Sequence, residues 1–295
     1  MAQDFFDQHK VARTIFERAS DATGEDIAKL CFEEDPRLDL TEFTQPCILT
    51  AEIAMLEVLR AEFGLADEIY GGHSLGEYTA LTAAGVLRFE DAVQIVRRRG
   101  ALMQQAVPEG QGAMAAIKLT NIVDEPGWRQ MVKGAGAEIA NMNSPNQIVM
   151  SGKKEAVHGA GDKLEEAYKD QEIEVRYLTV SAPFHSSMMR GIEDEFHEYL
   201  KSFSEHTRPE LSVKVLSNFT GILHEPASLI ENLVKQISGP VHWIENMKVL
   251  KKLSEAEGVA IIEVGPNRPL GAFFRAIGAE CKSVLNLKTA QKALS

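Results

Sequence analysis

Gly71-Gly72-His73-Ser74-Leu75-Gly76-Glu77 sets a hydroxyl nucleophile between small residues two positions before and two after it. Ala66 to Tyr70, ahead of it, has strand character, and Tyr78 to Ala84, behind it, carries a helical pattern that stops at Gly85. Strand, sharp turn and helix are the setting of a nucleophile elbow, in which Gly72 and Gly76 let strand and helix approach closely. The Ser74 hydroxyl then stands at a helix N-terminus, where the Leu75 N–H and the positive end of the helix dipole face an oxyanion formed on attack. Acyl transfer through a serine ester is the chemistry this stretch supports. A glycine-rich turn with an incidental serine is the alternative.

A serine hydroxyl is scarcely ionised at neutral pH and needs a base. Eight histidines are available. His73 adjoins Ser74, but neighbours in a tight turn point apart. His9, His158, His197, His206 and His224 lie in polar or helical contexts expected to face solvent. His185 follows a rigid Ala-Pro-Phe segment where the chain returns from a region of different composition, a junction of the kind that forms clefts. Position alone leaves its role open.

The elements that must hold these groups are legible as periods. Residues 4–33 carry helical spacing with a break at Gly24, and a second helical region runs from Thr41 to Phe63, with Phe43-Thr44-Gln45-Pro46 at its entrance and the proline expected in its first turn. By spacing Gln45 reads as a helix-start residue. Another helix is expected from Phe89 to about Ala106. From Gly110-Gln111-Gly112 the pattern becomes strand, helix, strand, strand, helix, strand, which predicts a ferredoxin-like unit over 111–180 inserted in a larger α/β domain built from 1–110 and 181–295. After Ser181-Ala182-Pro183-Phe184-His185 comes a helix at Met188 to Phe203, and Val213–Leu216 and Val259–Val264 read as buried parallel strands.

With 295 residues, 44% hydrophobic and 25% charged, the chain can bury a large core. Its net charge of -12 speaks against nucleic acid as a partner, with Arg97-Arg98-Arg99 the densest basic patch. No stretch has the length of uninterrupted apolar residues that a membrane span needs, and the first residues lack a basic region followed by an apolar one, so a cytoplasmic protein is expected, without a membrane partner. Cys31, Cys47 and Cys281 are scattered and odd in number, which argues against a disulfide framework or a metal cluster and predicts buried thiols.

Taken together, the chain resembles the malonyl-CoA:acyl carrier protein transacylases and the acyltransferase domains of polyketide synthases. The resemblance rests on Gly72-His73-Ser74-Leu75-Gly76-Glu77-Tyr78, Thr44-Gln45-Pro46, Arg99-Gly100 with Met103-Gln104, Gly112-Ala113-Met114-Ala115-Ala116, Asn141 to Pro145, Pro183-Phe184-His185, Gly239-Pro240-Val241-His242-Trp243 and Glu263-Val264-Gly265-Pro266. It implies an α/β hydrolase-like parallel-sheet fold with a ferredoxin-like insertion, and transfer of malonyl from malonyl-CoA to the phosphopantetheine thiol of a holo acyl carrier protein, with no metal or cofactor. Carried over, Ser74 is the nucleophile, His185 its base and acid, and Leu75 an oxyanion donor. A backbone carbonyl from the region of His242 orients the imidazole, and Gln45, Asn143, Phe184 and His242 are expected to support the pocket or the dyad.

Arg99, 25 positions after Ser74, matches the arginine with which the family pairs the malonyl carboxylate. A planar guanidinium meets a carboxylate with two parallel hydrogen bonds, and a desolvated one penalises acyl groups that leave it unpaired. Arg97 and Arg98 are expected on a solvated helix face. Phe184 and Leu75 match malonyl-selective versions of the family, which points to malonyl over methylmalonyl. An acyl hydrolase on the same scaffold is the competing activity, and Arg99 argues against it; a catalytically silent docking subunit is the other competing reading.

One departure stands out. Family members normally begin with a strand and a Phe-Pro-Gly-Gln-Gly-Ser-Gln turn whose first glutamine supplies a second oxyanion N–H, whereas this sequence begins after that point. The expectation is a start set too late, with roughly 15–20 residues of strand and turn encoded upstream, or else a truncated form slowed by the hundredfold or more that one oxyanion donor is worth.

Overall fold

The computed structural model describes residues 1–66, 68–180 and 182–294. Asp67, inside the expected strand before the elbow, Ser181, at the expected domain boundary, and Ser295 lie outside the described residues.

The N-terminal helical period resolves into α1 (Gln3–Gln8), α2 (Lys10–Thr23) and α3 (Ile27–Phe32), with Gly24 closing α2 in the left-handed conformation that glycine adopts without a Cβ penalty. Then α4 (Thr41–Phe63) spans the expected residues and buries Leu49, Met55, Val58 and Leu59 completely. Pro46 lies in its second turn, not its first, because the helix already starts at Thr41. The helices α5 (Leu75–Ala83) and α6 (Phe89–Gln105) follow, and α6 packs its apolar face on α2 and α4. Gly100 permits this approach, since a Cβ there would stand 2.4 Å from the Thr41 carbonyl oxygen. The main core thus collects Phe5, Phe16, Leu49, Met55 and Val93 from four helices.

Residues 112–177 form β1 (Gly112–Lys118), α7 (Trp128–Gly134), β2 (Glu138–Ser144), β3 (Gln147–Lys153), α8 (Lys154–Ala167) and β4 (Glu174–Tyr177). The strands pair antiparallel in the order β2-β3-β1-β4. A separate apolar cluster, including Ile117, Trp128, Ile148, Met150 and Leu164, joins this sheet to its two helices. Several contacts tie the unit to the rest of the chain, two of them close to the site. Val241 pairs with Asn141 as a parallel bridge, and the Glu138 carboxylate accepts hydrogen bonds from the Ser187 N–H and hydroxyl.

The chain continues through α9 (Glu193–Lys201), α10 (Leu229–Ser238), α11 (Trp243–Glu257), β5 (Ile262–Val264), α12 (Pro269–Ala276), β6 (Lys282–Val284) and α13 (Leu287–Leu294). Of the strand expected before the elbow, only Tyr70 pairs among the described residues, in a single bridge to Val215, and the two expected buried strands further on are only partly formed. Pro209–Lys214 is a 3₁₀ helix that leaves Val213 exposed; only Val215 pairs, parallel to Tyr70, and Leu216 pairs antiparallel to Leu223. Of the later run only Ile262–Val264 is strand, parallel to β6, while Val259 is exposed. An apolar run becomes strand only where a neighbour supplies ladder hydrogen bonds, and the Tyr70–Val215 pair and the β5–β6 pair are separate ladders. No helix among the described residues is long and apolar enough to cross a membrane.

Candidate active site

Ser74 occupies the N-cap of α5 with φ 53° and ψ -101°, outside the regions open to ordinary L-residues. Such strain persists only where surrounding contacts over-determine it. Here Asn218 Oδ1 accepts the Ser74 N–H at 2.6 Å, and Asn218 Nδ2 donates to the Gly72 carbonyl at 2.8 Å, so one side chain holds both limbs of the turn. A Cβ on Gly72 would lie 2.1 Å from the Gly76 carbonyl, whereas a Cβ on Gly76 would meet nothing within 4 Å. The close approach therefore depends on Gly72 alone, where the sequence suggested both glycines. The amides of Gly76 and Glu77 are taken by His73 and Ser74 carbonyls. That leaves the Leu75 N–H as the first helical amide beside Ser74.

His185 comes to Ser74 from 111 residues away, its Nε2 2.8 Å from the Ser74 Oγ. Its Nδ1 lies 2.7 Å from the Gln236 carbonyl oxygen. A carbonyl only accepts, so Nδ1 carries the proton and Nε2 is left to accept from the serine hydroxyl. This carbonyl replaces the one expected near His242: it stands in α10, six residues upstream. His242 is half-buried at the N-cap of α11, and its N–H donates to the Asn218 carbonyl, which connects it to the elbow through Asn218. Burial, and secondly the Arg99 cation, push the His185 imidazole down to about 3.

Arg99 is 1% exposed. Its Nη1 donates to Gln45 Oε1 at 2.8 Å, and its Nη2 donates to Gln236 Oε1 at 2.9 Å and to Ser74 Oγ at 3.1 Å. The guanidinium sits 5.3 Å from the Tyr78 ring centroid, and its Nε has no partner among the described residues. Every group bonded to it is neutral. Gln45, read by spacing as a helix-start residue, is buried and points at the arginine. Asn143 does not touch Ser74; its Oδ1 lies 2.8 Å from His73 Nε2, which fixes the residue beside the nucleophile. Phe184 is half-buried next to His185 and packs against both the main core and the Met114–Val149 cluster.

Two departures concern charged groups, Arg97 and His224, while Arg98 keeps the solvated position expected of it. Arg97 is not simply solvated: it bonds the Thr23 carbonyl, Glu25 and Glu42 and lies over the Phe43 ring, bracing the start of α4. Arg98 pairs with Glu195. His224, expected to face solvent, is 2% exposed and pairs with the fully buried Glu77. Sequence reasoning also missed Gln236 and Asn218. For Gln236 a signal existed, because with Asn232 it interrupts the apolar face of α10 at helical spacing between Leu233 and Ile237. Asn218 sits between elements and carries no such mark.

A strained serine at a helix N-terminus, an imidazole that accepts from its hydroxyl and a buried arginine bonded to neutral groups stand together as the parts of a serine acyltransferase site. The comparisons agree. The family model of the acyl transferase domain matches residues 1–269. A malonyl CoA-acyl carrier protein transacylase of Bacillus subtilis is 37% identical over 284 residues, 94% of this chain and 68% of that protein. The crystal structure of the corresponding Clostridium perfringens transacylase superimposes with a TM-score of 0.87 at 33% identity, covering 100% of this chain and 91% of that one. A malonyl-transacylase solved in complex with its type II PKS acyl-carrier protein gives 0.86 at 31% identity, covering 100% and 94%. The chain belongs to the malonyl-CoA:acyl carrier protein transacylase family.

Proposed function

We propose that this protein moves malonyl from malonyl-CoA to the phosphopantetheine thiol of an acyl carrier protein, through a malonyl ester on Ser74, in fatty-acid or polyketide synthesis. The observation that carries the substrate is Arg99: a buried cation beside the nucleophile, bonded only to neutral groups, is matched by an acyl group bearing its own carboxylate. In acylation the Ser74 Oγ attacks the thioester carbonyl while His185 Nε2 takes its proton. The oxyanion forms against the Leu75 N–H. Collapse breaks the C–S bond, and His185 returns the proton to the departing coenzyme A thiolate. The carrier thiol then attacks the ester, its proton passing through His185 back to Ser74. Gln45 and Gln236 hold the guanidinium, and Phe184 narrows the pocket.

The same proposal covers the architecture. The order β2-β3-β1-β4 with two helices on 112–177 supports a ferredoxin-like insertion near 111–180. The Tyr70–Val215 and β5–β6 parallel pairs support a hydrolase-like unit from 1–110 and 181–295. The unbridged cysteines, Cys31 and Cys47 buried and Cys281 half-buried, fit a cytoplasmic location.

Intact-protein mass spectrometry after incubation with malonyl-CoA tests the reading. A gain of about 86 Da, absent from Ser74→Ala and discharged by a holo carrier protein, is expected for a serine ester. An adduct that persists in Ser74→Ala, or one that water clears as fast as the carrier thiol does, would overturn it.

A further inference from the structure

Glu77 and His224 are both fully buried, at 0% side-chain exposure, and lie directly beneath the elbow. Glu77 Oε1 is 2.7 Å from His224 Nε2, and its Oε2 accepts from Gln236 Nε2 at 2.7 Å and from the Asn218 N–H at 3.2 Å. His224 Nδ1 has no partner among the described residues. An unpaired acceptor nitrogen is more tolerable in a core than an unpaired N–H, so Nε2 carries the proton and donates to the carboxylate. All three groups around Glu77 are then donors, which is the environment of an acceptor-only carboxylate.

The Gln236 amide joins this carboxylate to Arg99. Its orientation is forced, because Oε1 faces a guanidinium that can only donate, while Nε2 faces the Ser74 carbonyl at 2.8 Å and Glu77. Arg99 thus has a carboxylate one amide away and, among the described residues, none in contact. We propose that Glu77 is the counter-charge of Arg99, held out of contact so that the guanidinium stays open to substrate, and that its charge moderates how strongly the site draws the malonyl carboxylate. This rests on the malonyl-transfer reading above and makes Glu77 a positioning and selectivity residue that touches no substrate. Burial lowers the Arg99 guanidinium from its ordinary range, and Tyr78 and then the Glu77 charge oppose that shift.

The sign follows from Coulomb's law. Removing the negative charge raises the positive potential at the guanidinium, which favours a carboxylate-bearing acyl group and disfavours a neutral one. Glu77→Gln keeps the acceptor for Gln236 and Asn218, and is expected to raise the malonyl-over-acetyl ratio of acylation by about tenfold, an effect consistent with a charge one amide distant in a medium of intermediate dielectric. The KM for malonyl-CoA should fall and kcat should not rise, since the gain is in ground-state binding. Glu77→Asp, which keeps the charge, should leave the ratio within about twofold of the parent. Should Glu77→Gln fail to fold, Glu77→Gln/His224→Gln replaces the pair by two amides that can bond each other, and the same ratio is read from it. Equal losses for both acyl groups, a fall in the ratio, or failure of both variants to fold would make Glu77 a purely structural residue and overturn the proposal. A parent enzyme that shows no preference for malonyl would instead sink the functional reading, before Glu77 is in question.

Discussion

His185 titrates far from where an exposed imidazole would, and that has consequences at two levels. Its value of about 3 lies below the 6.5 of an unperturbed histidine. As pH falls from 6.5 the unfolded chain binds a proton that the folded site refuses, so this group's contribution to stability is complete above 6.5, declines as pH drops towards 3, and is flat below that. The imidazole therefore remains a competent acceptor through the mildly acidic range, and the acid limb of kcat/KM should lie well below 6.5. Arg99 is the second cause of the depression. Arg99→Ala should accordingly move that limb upward, a shift readable in a pH–rate profile with acetyl-CoA, which does not need the arginine. A limb that stays in place would remove Arg99 from that role. The same variant should weaken malonyl transfer while sparing or improving acetyl transfer, because a neutral acyl group no longer meets an unpaired buried cation; equal losses would make Arg99 structural. His185→Ala is expected to slow acylation by about 10²–10⁴, the range for a lost general base, measured as the rate of adduct formation.

At the scale of elements, the elbow owes its shape to one absent side chain. Gly72→Ala drives a Cβ into the Gly76 carbonyl; relief requires separating turn and helix, at a cost of about 1–3 kcal/mol or more, with loss of the serine geometry. Gly76→Ala meets open space inside α5, and should be neutral or stabilising by up to about 1 kcal/mol. Thermal melts and adduct formation of the two variants distinguish this asymmetry from a general need for glycine. A similar contact organises α6: Gly100 against the Thr41 carbonyl brings α6 onto the start of α4, which is what lets Arg99 reach Gln45.

Over the whole molecule, the small sheet is fastened to the rest of the chain close to the site. The Val241–Asn141 bridge leads in sequence to Asn143 beside His73, and Glu138 clamps Ser187, two residues beyond His185. Glu138→Ala leaves the Ser187 N–H and hydroxyl without their carboxylate, and hydrogen bonds to a charged group contribute about 1.5–3 kcal/mol. A loss of stability of that order is expected, together with faster hydrogen exchange along β2 and slower acylation; unchanged exchange at β2 would show that the clamp does not couple the two parts.

What the sequence determined by itself is what is written locally. The turn and helix of the elbow, the helices α4 and α6 and the six elements of 112–177 all appear as periods or turn residues over a dozen positions, because backbone propensity and one-sided burial act at that range. Arg99 and His185 were found through motif context, which carries the history of a fold that periodicity does not. Tertiary structure alone decided which carbonyl holds the imidazole, since the Gln236 carbonyl meets His185 across 51 residues of chain. It also decided that His224 is buried and paired with Glu77. It decided, finally, that the apolar runs at 213–216 and 259–264 form strand only where a partner reaches them. Each of these depends on a contact between distant segments, and a polar side chain or an apolar run looks the same in sequence whether water or a partner satisfies it.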